Sequence, residues 1–206
     1  MKRILVLLIA LMCLSSALAE IDLNPLKTDP DWYSYPVPGS VDTVYRTVKP
    51  PFIGQVDEGC DGELVAWVDY ITLVDDDATV PRLVISTTVW DMPLNAQEVR
   101  LTIGKTRYTL SVTHTESEYD GMYMEDYEAC LVGEGLNLLK TIAQQKKDNP
   151  VRVEVLNLGE PVFSGLVVIP GAEAAAVYDR YVDMGGKTQS LKQLESRWPC
   201  KAEKVK

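Results

Sequence analysis

The sequence contains a single histidine, His114, among its 206 residues. A Ser-His-Asp or Cys-His nucleophile would therefore have to use that one side chain, and a zinc site built mainly from histidines is excluded. The chain also has no GxSxG nucleophile elbow, no Walker A sequence and no GxGxxG fingerprint. These absences exclude most motif-defined hydrolases and nucleotide-binding proteins, and we predict no cofactor.

Calcium and structural zinc motifs are missing as well. The stretches DEGCDGE (57–63) and DDDATV (75–80) are as acidic as calcium loops. Counted as EF-hands from Asp57 and Asp75, however, their twelfth positions fall on Val68 and Ser86, so the bidentate glutamate is absent. The cysteines show no CxxC spacing of the kind that structural zinc sites use. Acidic turns are the simpler interpretation of both stretches.

Long hydrophobic runs are absent, and the longest apolar stretch lies at the N-terminus. Lys2 and Arg3 precede an eleven-residue apolar run, Ile4–Leu14, and Ala17-Leu18-Ala19 has the small-x-small pattern of a cleavage site. The run is shorter than the roughly 20 residues that span a bilayer. We predict a signal peptide at 1–19 with cleavage after Ala19, a secreted or periplasmic protein, and no membrane insertion of the mature chain.

The charge balance is negative. Loss of Lys2 and Arg3 with the signal peptide would change the formal net charge from −10 to −12. Nucleic acids and anionic membranes are disfavoured partners for such a chain. The remaining 187 residues suffice for one domain with a sizeable core. We predict an extended arm at 20–41, which carries four prolines with aromatic residues between them, and a single domain at 42–206.

Within that domain, period-2 alternation and β-branched residues predict strands near 64–74, 82–90, 98–103, 108–112, 151–157 and 161–169. Apolar stripes of helical period predict helices at 134–147, 172–184 and 190–198. A run of strands followed by strand pairs and helices favours an α+β fold. We predict an antiparallel, β-rich, sandwich-like domain with two or three helices packed on one side.

The stretch HTESEYDGMYMEDYEAC (114–130) combines the histidine with six acids. Asp120-Gly121 between alternating residues is a strong signal for a two-residue type I′ hairpin turn. That turn fixes the register of the two strands. The predicted pairs on one face are Leu110–Leu131, Val112–Ala129, His114–Tyr127, Glu116–Glu125 and Glu118–Tyr123.

This register places Glu116 directly opposite Glu125, although like charges in that position destabilise a strand pair. A slipped register or simple solvation at a wet hairpin tip would relieve the repulsion. A cation held by His114, Glu116 and Glu125 is the functional alternative, and a protonated carboxyl is another. We expect no tight transition-metal binding here and at most weak calcium binding.

Three cysteines remain after signal cleavage, which allows one intramolecular disulfide in an oxidising compartment. Cys130 lies between apolar residues of a predicted strand and can pack as a small hydrophobic side chain. Cys60 lies in a turn-rich stretch, and Cys200 lies near the C-terminal end. We predict a Cys60–Cys200 disulfide with Cys130 free and buried.

Two functions remain open. The first is a non-catalytic exported domain that binds a protein, a glycan or a cell-envelope component. The alternative is a glycosidase-like hydrolase in which two carboxylates work in an acidic cleft. A pair of carboxylates about 5–10 Å apart in a deep cleft, one of them desolvated, would favour the enzyme.

Overall fold

A computed structural model describes residues 21–145, 147–186 and 191–205. The predicted signal peptide and its cleavage site after Ala19 lie outside these ranges. Within them the strands are β1 (Trp32–Pro36), β2 (Thr43–Thr47), β3 (Phe52–Val56), β4 (Glu63–Leu73), β5 (Ala78–Trp90), β6 (Glu98–Ile103), β7 (Thr106–Ser111), β8 (Thr113–Tyr119), β9 (Met122–Cys130), β10 (Val151–Asn157), β11 (Glu160–Val167) and β12 (Cys200–Lys204). The helices are α1 (Asn24–Lys27), α2 (Glu134–Ala143), α3 (Gly171–Asp183) and α4 (Lys192–Arg197).

The strands form one open sheet in the order β12-β7-β6-β10-β11-β3-β4-β5-β9-β8. Strand β2 pairs with β4 beside β3, and β1 extends the sheet from β2. Every strand pairing in the described residues is antiparallel. The predicted β-rich α+β fold is therefore confirmed.

One hydrophobic core joins the two halves of this sheet. Val99 and Leu101 of β6 and Val153 of β10 belong to the same buried cluster as Leu64 of β4 and Ile85 of β5. Alternation along β4 sends its even-numbered side chains into this core and its odd-numbered ones to the opposite face. The sharing of one core by both halves is the arrangement expected of a sandwich-like domain.

The helices cover the sheet from two directions. Helices α2 and α3 pack against each other and contribute Leu138, Leu139 and Tyr181 to the main core. Helix α4 places Leu194 in a second cluster, with Ile71 of β4, on the other face of the sheet. Among the described residues, no helix has the length and apolar composition needed to cross a bilayer.

The segment predicted as an extended arm is more regular than expected. Residues Asn24–Lys27 form one helical turn within the segment predicted to be extended. Pro25 is compatible with this turn because it stands at its start, where its missing N–H is not needed. The aromatic stretch Trp32–Pro36 becomes β1, which pairs only with β2 among the described strands. Pro36 is thus tolerated at the edge of the sheet.

The hairpin register is confirmed over the length of β8. His114 pairs with Tyr127, Glu116 with Glu125 and Glu118 with Tyr123. The two predicted pairs nearest the core are wrong, because the chain leaves this ladder before Thr113. Leu110 belongs to β7 and pairs with Val99 and Cys200 instead of Leu131, and the pairing of Val112 with Ala129 falls beyond the end of β8.

Replacing Gly121 by valine should destabilise the protein by about 1–2 kcal/mol, the cost of a left-handed backbone for a β-branched residue. Asp120 and Gly121 have φ of 52° and 74°, as a type I′ turn requires. A Cβ at Gly121 would meet no atom within 4 Å, so the penalty is backbone strain alone. Urea unfolding measures it, with Gly121→Asn as the control that tolerates positive φ. Equal losses for valine and asparagine would contradict this origin.

The predicted Cys60–Cys200 disulfide is wrong in this structure, in which Cys60, Cys130 and Cys200 are all free. Cys60 follows β3 and Cys200 begins β12, and strands β7, β6, β10 and β11 lie between these two in the sheet. Burial also raises the pKa of the Cys200 thiol to about 12, which suppresses the reactive thiolate. Cys130 is buried and free, as predicted.

Candidate functional site

The structure brings the three predicted ligand residues together on one face of the hairpin. His114 and Glu116 lie on β8 and Glu125 lies on β9, with Glu116 directly opposite Glu125. One possible ligand atom from each of the three side chains lies within 4.8 Å of those of the other two. Glu116 is exposed and His114 is partly buried, whereas Glu125 is completely buried.

The burial of Glu125 was not expected from the sequence, which predicted a wet hairpin tip. The connection between β5 and β6, residues 91–97, supplies the hydrogen bonds that make it possible. The backbone N–H of Leu94 donates to Oε2 of Glu125 at 2.8 Å, and the N–H of Asn95 donates to Oε1 at 3.0 Å. Asn95 has a positive φ of 50°, a conformation that asparagine tolerates.

His114 completes the surroundings of this buried carboxylate. Its Nε2 lies 2.9 Å from Oε1 of Glu125, and its ring stacks on Tyr127 with 5.2 Å between the ring centroids. Three donors thus converge on Glu125, which explains how the strand pair accommodates Glu116 opposite it. Slippage of the register, one of the alternatives from the sequence, does not occur.

Two buried hydroxyls near Glu125 make no hydrogen bond of good geometry within the described residues. They are the phenol of Tyr127 and the Oγ1 of Thr87, and both residues are 0% exposed. Thr87 pairs across the ladder with Glu125, so the two side chains share a face. Burial and then the charge of Glu125 raise the pKa of Tyr127, and its phenol also interacts with the backbone of Ala96 and with Thr87.

A second group of charges lies on the opposite face of the sheet. Arg82 of β5 donates through Nε and Nη2 to Asp69 at 2.8 and 2.7 Å, and through Nη1 to Glu128 at 2.6 Å. Burial raises the pKa of both carboxyls, and Arg82 opposes that effect at each. Because Arg82 donates to both carboxylates, the network is a self-contained ion-pair cluster, and we interpret it as structural.

A cleft opens where the edge of β4 changes partner. Val65 and Ala66 pair with β3, and Tyr70 to Thr72 pair with β2. Residues 67–69 fall between these two ladders, and helix α3 crosses nearby. The cavity has a volume of about 120 Å³. Its apolar part is formed mainly by Trp32, Phe52, Trp67, Ile169, Ala174 and Val177.

Charged side chains of both signs surround this cleft. Lys49 and Glu173 form an ion pair of 2.6 Å, and Arg180 binds Asp29 at 2.6 Å. The guanidinium of Arg46 lies over the ring of Trp67, 4.1 Å from its centroid. The backbone N–H of Asp31 and the side chain of Arg180 lower the pKa of Asp29, which therefore stays ionised.

Sequence reasoning did not find the cleft. The aromatic residues between the prolines were assigned only to an extended arm, and Trp67 only to the strand near 64–74. The available signal was Trp67 itself, a bulky aromatic residue that stands immediately before Asp69 in alternation. Tryptophan is rarely buried completely, so its presence in this strand indicates a partly open surface.

No protein-family model matches the chain, and no curated protein or solved structure is significantly similar to it. The cleft and the hairpin cluster are therefore interpreted from their own geometry and chemistry.

Proposed function

We propose that the protein is an exported, non-catalytic domain that binds a glycan through the cleft beside β4. The export rests on the N-terminal sequence, with its basic start, apolar run and Ala17-Leu18-Ala19 pattern. Binding rests on the cleft, a concave site with aromatic walls and a few convergent polar groups, as ligand sites commonly have. A glycan is also one of the three partner classes expected from the sequence.

The composition of the cleft favours a sugar over a peptide or a purely apolar ligand. Sugar hydroxyls both donate and accept hydrogen bonds. Arg46, Lys49 and Arg180 provide donors, and Asp29 and Glu173 provide acceptors, around a single aromatic surface. The aromatic rings offer the large, rigid area against which the apolar face of a sugar ring can pack.

The size of the cavity limits what it can hold. Its volume is about 120 Å³, and an apolar cavity of roughly 150 Å³ accommodates benzene. At most one ring-sized group can therefore enter, and the rest of a longer molecule would extend over the surface. We infer recognition of one sugar residue within a glycan.

The hydrolase alternative is less well supported by this cleft. A glycosidase needs one carboxyl with a raised pKa as general acid. The pKa of Asp29 is lowered, and Glu173 is paired with Lys49. The carboxyls whose pKa is raised by burial include Asp69, but Arg82 binds it directly.

A panel of soluble oligosaccharides, titrated while tryptophan fluorescence is followed, tests the proposal. We expect at least one glycan to bind and to remain intact. Trp67→Ala should weaken that binding at least about tenfold, equivalent to about 1.4 kcal/mol. Arg46→Gln, a smaller change near the surface, should weaken it too.

Trp90→Ala is the matched control, because Trp90 ends β5, is 44% exposed and does not line the cleft. Its binding curve should resemble that of the wild type. Failure of every glycan to bind, or equal binding by the wild type and both cleft variants, would refute the proposal. Release of reducing ends from a bound glycan would favour the hydrolase instead.

A further inference from the structure

We propose that His114, Glu116 and Glu125 form a divalent-metal site of zinc type at the hairpin. The proposal is independent of the glycan cleft, whose lining includes none of these residues. It goes beyond the weak calcium binding expected from the sequence, because the structure gives the cluster a buried carboxylate and a nitrogen donor directed at it.

The spacing of two donor atoms suits a common metal ion. Nε2 of His114 and Oε1 of Glu125 are 2.9 Å apart. Zinc–nitrogen and zinc–oxygen distances of about 2.0–2.2 Å in a tetrahedral site place two ligands about 3.4 Å apart, roughly half an ångström more than this hydrogen bond. The ion can therefore replace the hydrogen bond between these groups with little movement of either side chain. Glu116 then supplies a third ligand from the exposed strand.

A second observation, separate from the cluster, points to a ligand here. The buried hydroxyls of Tyr127 and Thr87 make no hydrogen bond of good geometry within the described residues, although the phenol interacts with Glu125 and Thr87 pairs with Glu125 across the ladder. A buried polar group without a well-aligned partner lowers the stability of a folded protein. Water carried by a metal at Glu125 would offer such groups a partner.

The surroundings of Glu125 have the form of an outer ligand shell. Metal-bound carboxylates are usually held by further hydrogen bonds that fix their orientation. The N–H groups of Leu94 and Asn95 do so for both oxygens of Glu125, and the stacked ring of Tyr127 fixes the plane of His114. Two of the three ligands are therefore oriented before the ion arrives.

The donor set decides the class of ion. Calcium and magnesium prefer six or more oxygen ligands or several waters. One imidazole with two carboxylates suits zinc, manganese and related ions better. Because Glu116 is exposed and the described residues supply three protein ligands, the site is open to water and the affinity should be moderate rather than that of a closed structural site.

Calorimetry of the metal-free protein with zinc chloride tests the site, with manganese, calcium and magnesium chlorides in parallel. We expect one zinc ion per chain and weaker binding of calcium and magnesium. Cobalt should bind in the same place and give visible absorption bands from its ligand field. His114→Ala and Glu116→Gln should each lower zinc affinity by more than the roughly tenfold loss caused by removing an outer-shell partner.

Glu118→Gln is the matched control, since Glu118 lies on the same strand and the same face, is exposed and opposes Tyr123. It should bind zinc like the wild type. The proposal is overturned if no zinc binds, if His114→Ala binds as tightly as the wild type, if Glu118→Gln loses as much affinity as Glu116→Gln, or if calcium binds more tightly than zinc. Circular dichroism of each variant confirms that its fold is retained.

Discussion

Replacing Arg82 by methionine should destabilise the protein by about 3–5 kcal/mol, the range for removing one partner of a buried ion pair. Arg82 is 4% exposed and Asp69 is 0% exposed. Two hydrogen bonds join them, and a third reaches Glu128. Methionine fills a similar length of the core but leaves the Asp69 carboxylate buried without its cation.

The loss should grow as the pH rises. Burial raises the pKa of Asp69 above its ordinary value of 3.8, and Arg82 counteracts this in the native protein. Without Arg82 the pKa in the folded state rises further, so the folded variant binds a proton that the unfolded chain has released. Stability of the variant then falls as pH increases from 3.8 through the new folded-state pKa.

Urea unfolding at several pH values measures both effects. Arg107→Met is the control, because Arg107 pairs with the exposed Glu203 and such surface pairs contribute about 0–1 kcal/mol. The double variant Arg82→Met with Asp69→Leu should recover most of the lost stability, since it removes both buried charges. A double variant no more stable than Arg82→Met would show that lost packing, rather than an unpaired charge, causes the effect.

Local sequence signals predicted the parts of the fold that local chemistry determines. The turn at Asp120-Gly121 requires two positive φ angles, and the side chains of a strand alternate, so the pairing of His114 with Tyr127 followed from the sequence alone. The helical stripes near 134–147 and 172–184 likewise predicted α2 and α3. Leu110 was mispaired because the end of a ladder depends on which other strand competes for it, here β6 and β12.

The features that the sequence did not reveal depend on contacts between distant segments. Glu125 is buried because the connection before β6 folds over β9, some 30 residues from it in the chain. The cleft exists because β2 and β3 both pair with one edge of β4 and leave Trp67 between them. The separation of Cys60 from Cys200 follows from the order of the strands. No periodicity or short motif encodes these arrangements.

Replacing Glu125 by leucine should destabilise the protein by about 2 kcal/mol or more, because two partly buried N–H groups lose their acceptor, each at a cost near the lower end of about 1–3 kcal/mol. Those groups belong to Leu94 and Asn95. His114 would lose its partner too, at smaller cost, since it is partly exposed. The effect should therefore centre on the connection between β5 and β6.

Glu125→Gln separates charge from shape. Glutamine keeps one carbonyl oxygen for a backbone N–H but directs its own N–H₂ group at the other donors. The glutamine variant should therefore lose measurable stability, but less than the leucine variant. Glu116→Gln is the matched control on the facing strand. Its side chain is exposed, so we expect a change within about 0.5 kcal/mol, with a stabilising sign if like-charge repulsion across the pair is relieved.

Amide hydrogen exchange locates the damage. In Glu125→Leu, the amides of Leu94 and Asn95 should exchange much faster than in the wild type, beyond the increase shared by the whole domain, because their hydrogen bonds end on that one side chain. In Glu116→Gln they should exchange as in the wild type. Unchanged protection of both amides in the leucine variant, or a loss of stability in Glu116→Gln as large as that in Glu125→Leu, would show that Glu125 does not hold this connection in place.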